Sequence, residues 1–270
     1  MLFLLLACAP VDTETPDTNT DEEVIEDVDP GWDATGCEAI EDGRVSMSID
    51  GDDRDIVFVF PDNPDGAPVV FAWHWLGGTA NQTLDWMQMA SLANEGAIVV
   101  APESTGLQGI EWDIVGQPEV SVDIALFDRV LACLYDQQDI DTGRITTTGM
   151  SAGGLMSSYL ILYRSDVLSA AAVFSGGIEP AWYSTPEVDI PVLLTWGGEG
   201  DTYGGYSFHT STLAFSEKLQ DDGHFVVECM NDLGHLPPDD AAQMAWSFFE
   251  ATPLTDGFEG VPAGLPAYCE

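Results

Sequence analysis

Ser151 stands at the centre of Gly149-Met150-Ser151-Ala152-Gly153, and Asp201 and His235 follow it in chain order. A serine hydroxyl is a weak nucleophile until a base accepts its proton and a carboxylate orients that base. Together these residues could carry acyl transfer. Of the four histidines, His235 follows the apolar run Phe225–Met230 and precedes the last helical stretch, so it is the expected base. His224 stands at the start of that run, at the opposite end of any sheet it joins, and His209 opens a helical stretch as a substrate contact. The acid should follow the preceding run, Val192–Trp196, in the glycine-rich loop that reaches Gly204-Gly205. Asp201 is favoured because it lies farther from the strand end and beside Gly200; Glu199 is the alternative.

Charge developing on an acyl oxygen needs two backbone N–H donors aimed at it. Ala152, directly after the serine, should supply one. The other should come from His74-Trp75-Leu76-Gly77-Gly78, through Trp75 or Leu76. His74 is expected to hold this loop by hydrogen bonds rather than to react. No Cys-x-x-Cys spacing suggests a metal site, and no cofactor is expected.

The elements that must position these groups follow from periodicity. Ile145–Thr148 is β-branched, and Gly154–Leu160 has helical apolar spacing, so Ser151 sits on a strand-to-helix turn. A serine there is pressed into strained backbone, and its flanking glycines let strand and helix approach closely. Arg44–Ile49 alternates like a half-buried edge strand. Further strands are expected at Asp55–Phe60, Pro68–Trp75, Ala97–Ala101, Arg144–Thr148, Ala170–Phe174, Val192–Trp196 and Phe225–Val227. Helices are expected at Asn81–Asn94, Val120–Tyr135, Thr210–Gln220 and Asp239–Phe249. Continuous apolar strands alternating with helices imply an α/β fold with a mostly parallel sheet covered on both faces. In such sheets functional residues gather at the carboxyl ends of the strands.

The chain has 270 residues, 45% of them hydrophobic, enough for one large core. Its formal net charge is −41, from 47 acidic residues against 6 Lys and Arg. Nucleic acid is excluded as a partner, because binding it requires basic side chains at the phosphates. The acidity implies a solvated, self-repelling surface, with adaptation to salt as the sharper alternative that the sequence leaves open.

Residues 1–8 end in Leu5-Leu6-Ala7-Cys8 and resemble a short lipoprotein signal, with Cys8 as the residue to be lipidated and a membrane reached through that anchor. An ordinary secretory signal is the alternative. Residues 9–36 are rich in Thr, Asp, Glu and Pro, the composition of a disordered tether, leaving 37–270 as one catalytic domain. An extracytoplasmic location follows. Cys37, Cys133, Cys229 and Cys269 then suggest two disulfides, in any of three pairings.

Taken together, the motifs resemble the polyhydroxybutyrate depolymerase and feruloyl esterase family of secreted α/β-hydrolases, over roughly Asp55 to Phe249. The resemblance rests on the His74–Gly78 loop, Glu111-Trp112-Asp113, Val122-Asp123, the run from Asp141 to Ile145, Gly149–Gly154, Asp201 with Gly204-Gly205, and Gly234-His235. Where the family carries glycine after the loop histidine, this chain has Trp75. The resemblance implies the α/β-hydrolase fold and a serine carboxylic-ester hydrolase working through an acyl-enzyme on a small or polymeric ester. Trp75, Trp112 and Tyr203 are expected at the substrate, with core or rim packing as the plain alternative for each. A surface-tethered binding protein that kept the scaffold is a second class, and a peptidase of the same fold a third. The acyl group and the oligomeric state stay open.

Overall fold

The computed structural model describes residues 31–107, 109–252 and 260–270, of which Asp33–Glu270 pack as one unit. Cys8 and most of the expected tether lie outside the described residues. Ten strands are assigned among those described: β1 Gly43–Ile49, β2 Asp52–Val59, β3 Ala67–Trp73, β4 Ile98–Pro102, β5 Ile140–Met150, β6 Ala170–Phe174, β7 Val192–Trp196, β8 Thr202–Tyr203, β9 Tyr206–Ser207 and β10 Val226–Met230. The α-helices are α1 Ala80–Trp86, α2 Val122–Gln137, α3 Ala152–Tyr163, α4 Phe208–Asp222 and α5 Ala241–Ala251. Eight strands form one sheet in the order β1-β2-β4-β3-β5-β6-β7-β10. β1–β2 and β2–β4 pair antiparallel and the remaining pairs are parallel. This is the expected α/β-hydrolase architecture.

β3 shows why both faces must be covered, since all seven of its residues are buried. Alternate side chains point to opposite faces of a strand. On one face Val70 and Ala72 join Val99, Ala172, Leu84 and Trp246 in a core. On the other, Phe71 meets Phe127 of α2 at a ring separation of 4.6 Å, and the Trp73 indole N–H donates to Thr147 Oγ1.

Two expectations are corrected. The helix expected over Asn81–Asn94 is broken after α1: Gln88 adopts left-handed backbone (φ 58°), and Met89–Glu95 continues as a 3₁₀ turn ended by Gly96. Met87 and Met89 are both buried, whereas an unbroken helix would point them about 200° apart. The break lets both reach the core. The glycine-rich loop expected after Trp196 is instead a 3₁₀ turn, Gly198–Gly200, followed by the hairpin β8–β9. Gly204 and Gly205 form its two-residue turn, both with positive φ, which side chains rarely permit.

The disulfides are Cys37–Cys133 and Cys229–Cys269. The first ties the segment before β1 to α2. The second ties β10 to the C-terminal segment, which also exchanges backbone hydrogen bonds between Glu228 and Glu270. That pairing covers the free edge of β10, where unpaired amides would otherwise be exposed.

Candidate active site

Ser151 occupies the turn between β5 and α3 with φ 58° and ψ −119°, a strained conformation for a residue with a side chain. Backbone crowding holds it there. A Cβ on Gly149 would lie 2.5 Å from Gly153, and a Cβ on Gly153 would lie 2.0 Å from the Trp73 carbonyl oxygen. Only glycines allow β3, β5 and α3 to converge beneath the serine. The Ser151 N–H donates to Phe174 O of β6 at 3.0 Å, fixing the turn to its neighbour strand.

His235 lies after β10, and its Nε2 is 2.9 Å from Ser151 Oγ. Its Nδ1 is 2.7 Å from Asp201 Oδ1. Asp201 is fully buried, and its other carboxylate oxygen accepts from Ser175 Oγ (2.7 Å) and Gly197 N (2.9 Å). Charge-assisted hydrogen bonds of this kind fix a carboxylate firmly. The two loops meet because Gly197 touches Gly234; a Cβ at Gly197 would lie 1.9 Å from Gly234 O. Phe208 stacks on the His235 ring at 4.4 Å and Tyr203 at 5.6 Å, limiting its rotation. Glu199, the alternative acid, is exposed and makes no such contact.

Ala152 is the first residue of α3, so its amide has no intrahelical acceptor. Across from it, the loop leaving β3 has two amides already engaged: Gly77 N–H with Glu111 Oε2 (2.8 Å) and Gly78 N–H with Trp75 O (2.8 Å). Trp75 and Leu76, the two expected donors, lie between His74 and these glycines. His74 is buried; its Nε2 accepts from the Ser104 N–H (3.1 Å), so its proton lies on Nδ1 and goes to Trp75 O (2.9 Å). Burial holds its pKa below the ordinary histidine value, outweighing the nearby Glu111, Glu103 and Asp123 carboxylates. The structural role expected of His74 matches these bonds.

Trp112 is corrected. It was expected at the substrate, but it is fully buried, edge-on to Trp73 at 4.9 Å, with its indole N–H donating to His74 O at 2.8 Å. Its loop does pass above the sheet, yet the side chain turns inward to satisfy a backbone carbonyl. Tyr203 is exposed beside His235. Trp75 is half-buried against the exposed Trp86. His209 is half-buried on α4, and its Nδ1 accepts from the Trp196 indole. Ser175, Phe208 and Ser104 also lie at the site and were not expected there; Glu111, grouped with Trp112 and Asp113 as a motif without a role, lies there too. Ser175 had a visible signal, since it directly follows an apolar strand and precedes two glycines.

A doubly covered, mostly parallel sheet with serine, aspartate and histidine after β5, β7 and β10 is the arrangement of the α/β-hydrolase fold. No family model matches the chain. Feruloyl esterase B of Thermothelomyces thermophilus is 30% identical over 221 residues, covering 75% of this chain and 72% of that protein. A probable feruloyl esterase C of Aspergillus oryzae is 29% identical over 162 residues, 55% of each chain. Acetylxylan esterase A of Talaromyces purpureogenus is 27% identical over 157 residues, 52% of this chain and 41% of that protein. The matched part is thus about half the length of the Aspergillus relative. Among solved structures, native sOPH superposes with a TM-score of 0.72 at 17% identity, covering 88% of this chain and 96% of that one. The acylaminoacyl peptidase of Pyrococcus horikoshii gives 0.60 at 16%, covering 82% and 43%. These structures speak to the fold alone. The chain belongs to the polyhydroxybutyrate depolymerase and feruloyl esterase family.

Proposed function

We propose that the protein is a carboxylic-ester hydrolase acting through an acyl-enzyme. The supporting observation is the single imidazole held between Ser151 Oγ and the buried carboxylate of Asp201. Ser151 Oγ attacks the ester carbonyl carbon while its proton passes to His235 Nε2. Asp201 holds the ring's Nδ1–H and stabilises the imidazolium. The oxyanion is met by the Ala152 amide and by that of Trp75 or Leu76. As the carbon–oxygen bond to the alcohol breaks, His235 returns the proton to the leaving oxygen. Water then adds by the same route, releasing the acid and restoring the serine.

The named relatives act on feruloyl or acetylated xylan esters by their descriptions, and a neutral ester is the substrate class proposed here. A groove of about 870 Å³ flanks the His235 loop, lined by Trp86, Leu233, Leu236 and Tyr268 among others, with Asp232, Asp239 and Asp240 beside them. Aromatic and proline faces suit a planar or apolar substrate portion, and the carboxylates disfavour anions. The two disulfides fit an oxidising, extracellular location, with lipidation at Cys8 as the means of tethering.

The test is labelling with a serine-reactive fluorophosphonate, followed by turnover of p-nitrophenyl esters, methyl ferulate, acetylated xylan and polyhydroxybutyrate. Labelling lost in Ser151→Ala, with ester turnover in the wild type, is expected. Labelling that persists in Ser151→Ala would sink the reading.

A further inference from the structure

Glu111 is a buried carboxylate to which the chemistry above gives no task, and it sits in backbone seldom used by a residue with a side chain (φ 68°). Its two oxygens join two loops. One accepts the Gly77 N–H from the loop after β3, and the other accepts the Ser104 hydroxyl from the loop after β4. Ser104 also donates its own N–H to His74 Nε2. His74 and Gly77 bracket Trp75 and Leu76 directly. The dipeptide expected to supply the second oxyanion donor is therefore fixed on both sides through one residue, Ser104: at His74 directly and at Gly77 through Glu111.

We propose that Glu111 is a positioning residue for the oxyanion hole. It sets the distance and direction of the Trp75–Leu76 amides without touching substrate. Two physical points support the assignment. The Gly77 amide, the next along the loop, would otherwise compete for the same oxyanion or for water, and Glu111 engages it. The left-handed backbone at Glu111 is unfavourable by itself and persists only where its surroundings over-determine it. The double acceptance by its carboxylate, from Gly77 and from Ser104, is such a determinant. A displacement of about 1 Å in a preorganised donor can lower turnover about 10²-fold.

This inference rests on the esterase reading, so the experiment separates the two. Wild type, Glu111→Ala and Glu111→Gln are assayed with p-nitrophenyl acetate for kcat and KM. Inhibition by an alkyl boronic acid, which adds to the serine as a tetrahedral adduct, is measured in parallel, and fluorophosphonate labelling of the wild type tests the reading beneath. In Glu111→Ala, kcat should fall about 10²-fold with KM changed less than about threefold, and boronate affinity should fall in step. Glu111→Gln keeps an acceptor for Gly77 and should recover to within about tenfold of wild type. A folded Glu111→Ala with kcat within about threefold of wild type overturns the proposal, as does a loss of kcat with boronate affinity unchanged. If Glu111→Ala does not fold, Ser104→Ala decides: a fall in kcat of about five- to tenfold supports the proposal and unchanged kcat overturns it. Absence of wild-type labelling would instead reject the esterase reading itself.

Discussion

The site has two halves, and they are held together differently. The serine–histidine–aspartate half depends on glycines and backbone. Gly149, Gly153 and Gly197 let chain segments touch where no side chain fits, and Ser151, His235 and Asp201 then reach one another at 2.7 and 2.9 Å. The half proposed to hold the oxyanion depends on side-chain hydrogen bonds, most of them from distant loops. His74, Ser104, Glu111 and Trp112 form a hydrogen-bonded scaffold around Trp75 and Leu76. The first half is rigid by exclusion of volume and the second by directed bonds. Damage to them should look different: steric and abrupt in one, graded and sensitive to protonation in the other.

The largest effect should come from the chemistry itself. Ser151→Ala or His235→Ala should lower kcat by about 10⁴–10⁶, read as lost p-nitrophenol release, with urea midpoints little changed. An unchanged kcat would remove the acid–base half from the mechanism. Next come the glycines. Gly197→Ala places a methyl group 1.9 Å from Gly234 O, where backbone must move, so its urea midpoint should drop by the equivalent of about 3 kcal/mol or more. A tolerated Gly197→Ala would break the claim that this half is steric.

On the other side, Arg54 pairs with Asp123 at 2.7 Å, both buried, and Asp123 also accepts the Asp113 N–H that follows Trp112. Arg54→Met should destabilise by about 3–5 kcal/mol in urea melts, because it leaves a buried carboxylate unpaired. Trp112→Phe keeps the packing but orphans His74 O, and should lose about 1–2 kcal/mol together with a modest fall in kcat. If Trp112→Phe instead raised KM alone, a substrate contact would be restored to it.

Protonation gives the smallest expected effect. His74 has a folded pKa below the ordinary value of 6.5, caused by burial. On acidification the unfolded chain takes up this proton before the folded one does. The contribution is therefore complete above about pH 6.5 and lost progressively as pH falls below it toward the folded pKa. Urea melts from pH 8 to 5 should show this slope in the wild type and a reduced slope in His74→Gln. An identical slope would mean that the ring is not the sensor.

Much of the first half was legible in the chain. The turn at Ser151 is local, since the residues from Ile145 to Leu160 dictate strand, bend and helix. That Asp201 and His235 come beside Ser151 followed from the rule that parallel sheets gather such residues at strand ends, which needs only strand order. Trp112 was misread because a loop position says where a residue travels but not which way its side chain turns. Glu111 bonds to a residue 34 positions away, and such a pairing has no periodic or local signature. Leu84, Met87 and Leu92 likewise kept helical spacing, while the burial of both Met87 and Met89 demanded a break between them.

The amino-acid order by itself determined where the strands fall, which serine sits on a glycine-flanked turn, and which acid and base follow in turn. Short-range sterics and side-chain periodicity are enough for that. Only the tertiary structure decided the two disulfide pairings, the inward turn of Trp112, and the scaffold of Ser104 and Glu111 around the oxyanion loop. Those depend on which distant segments become neighbours once the sheet is covered, and on buried polar groups finding partners after water has left.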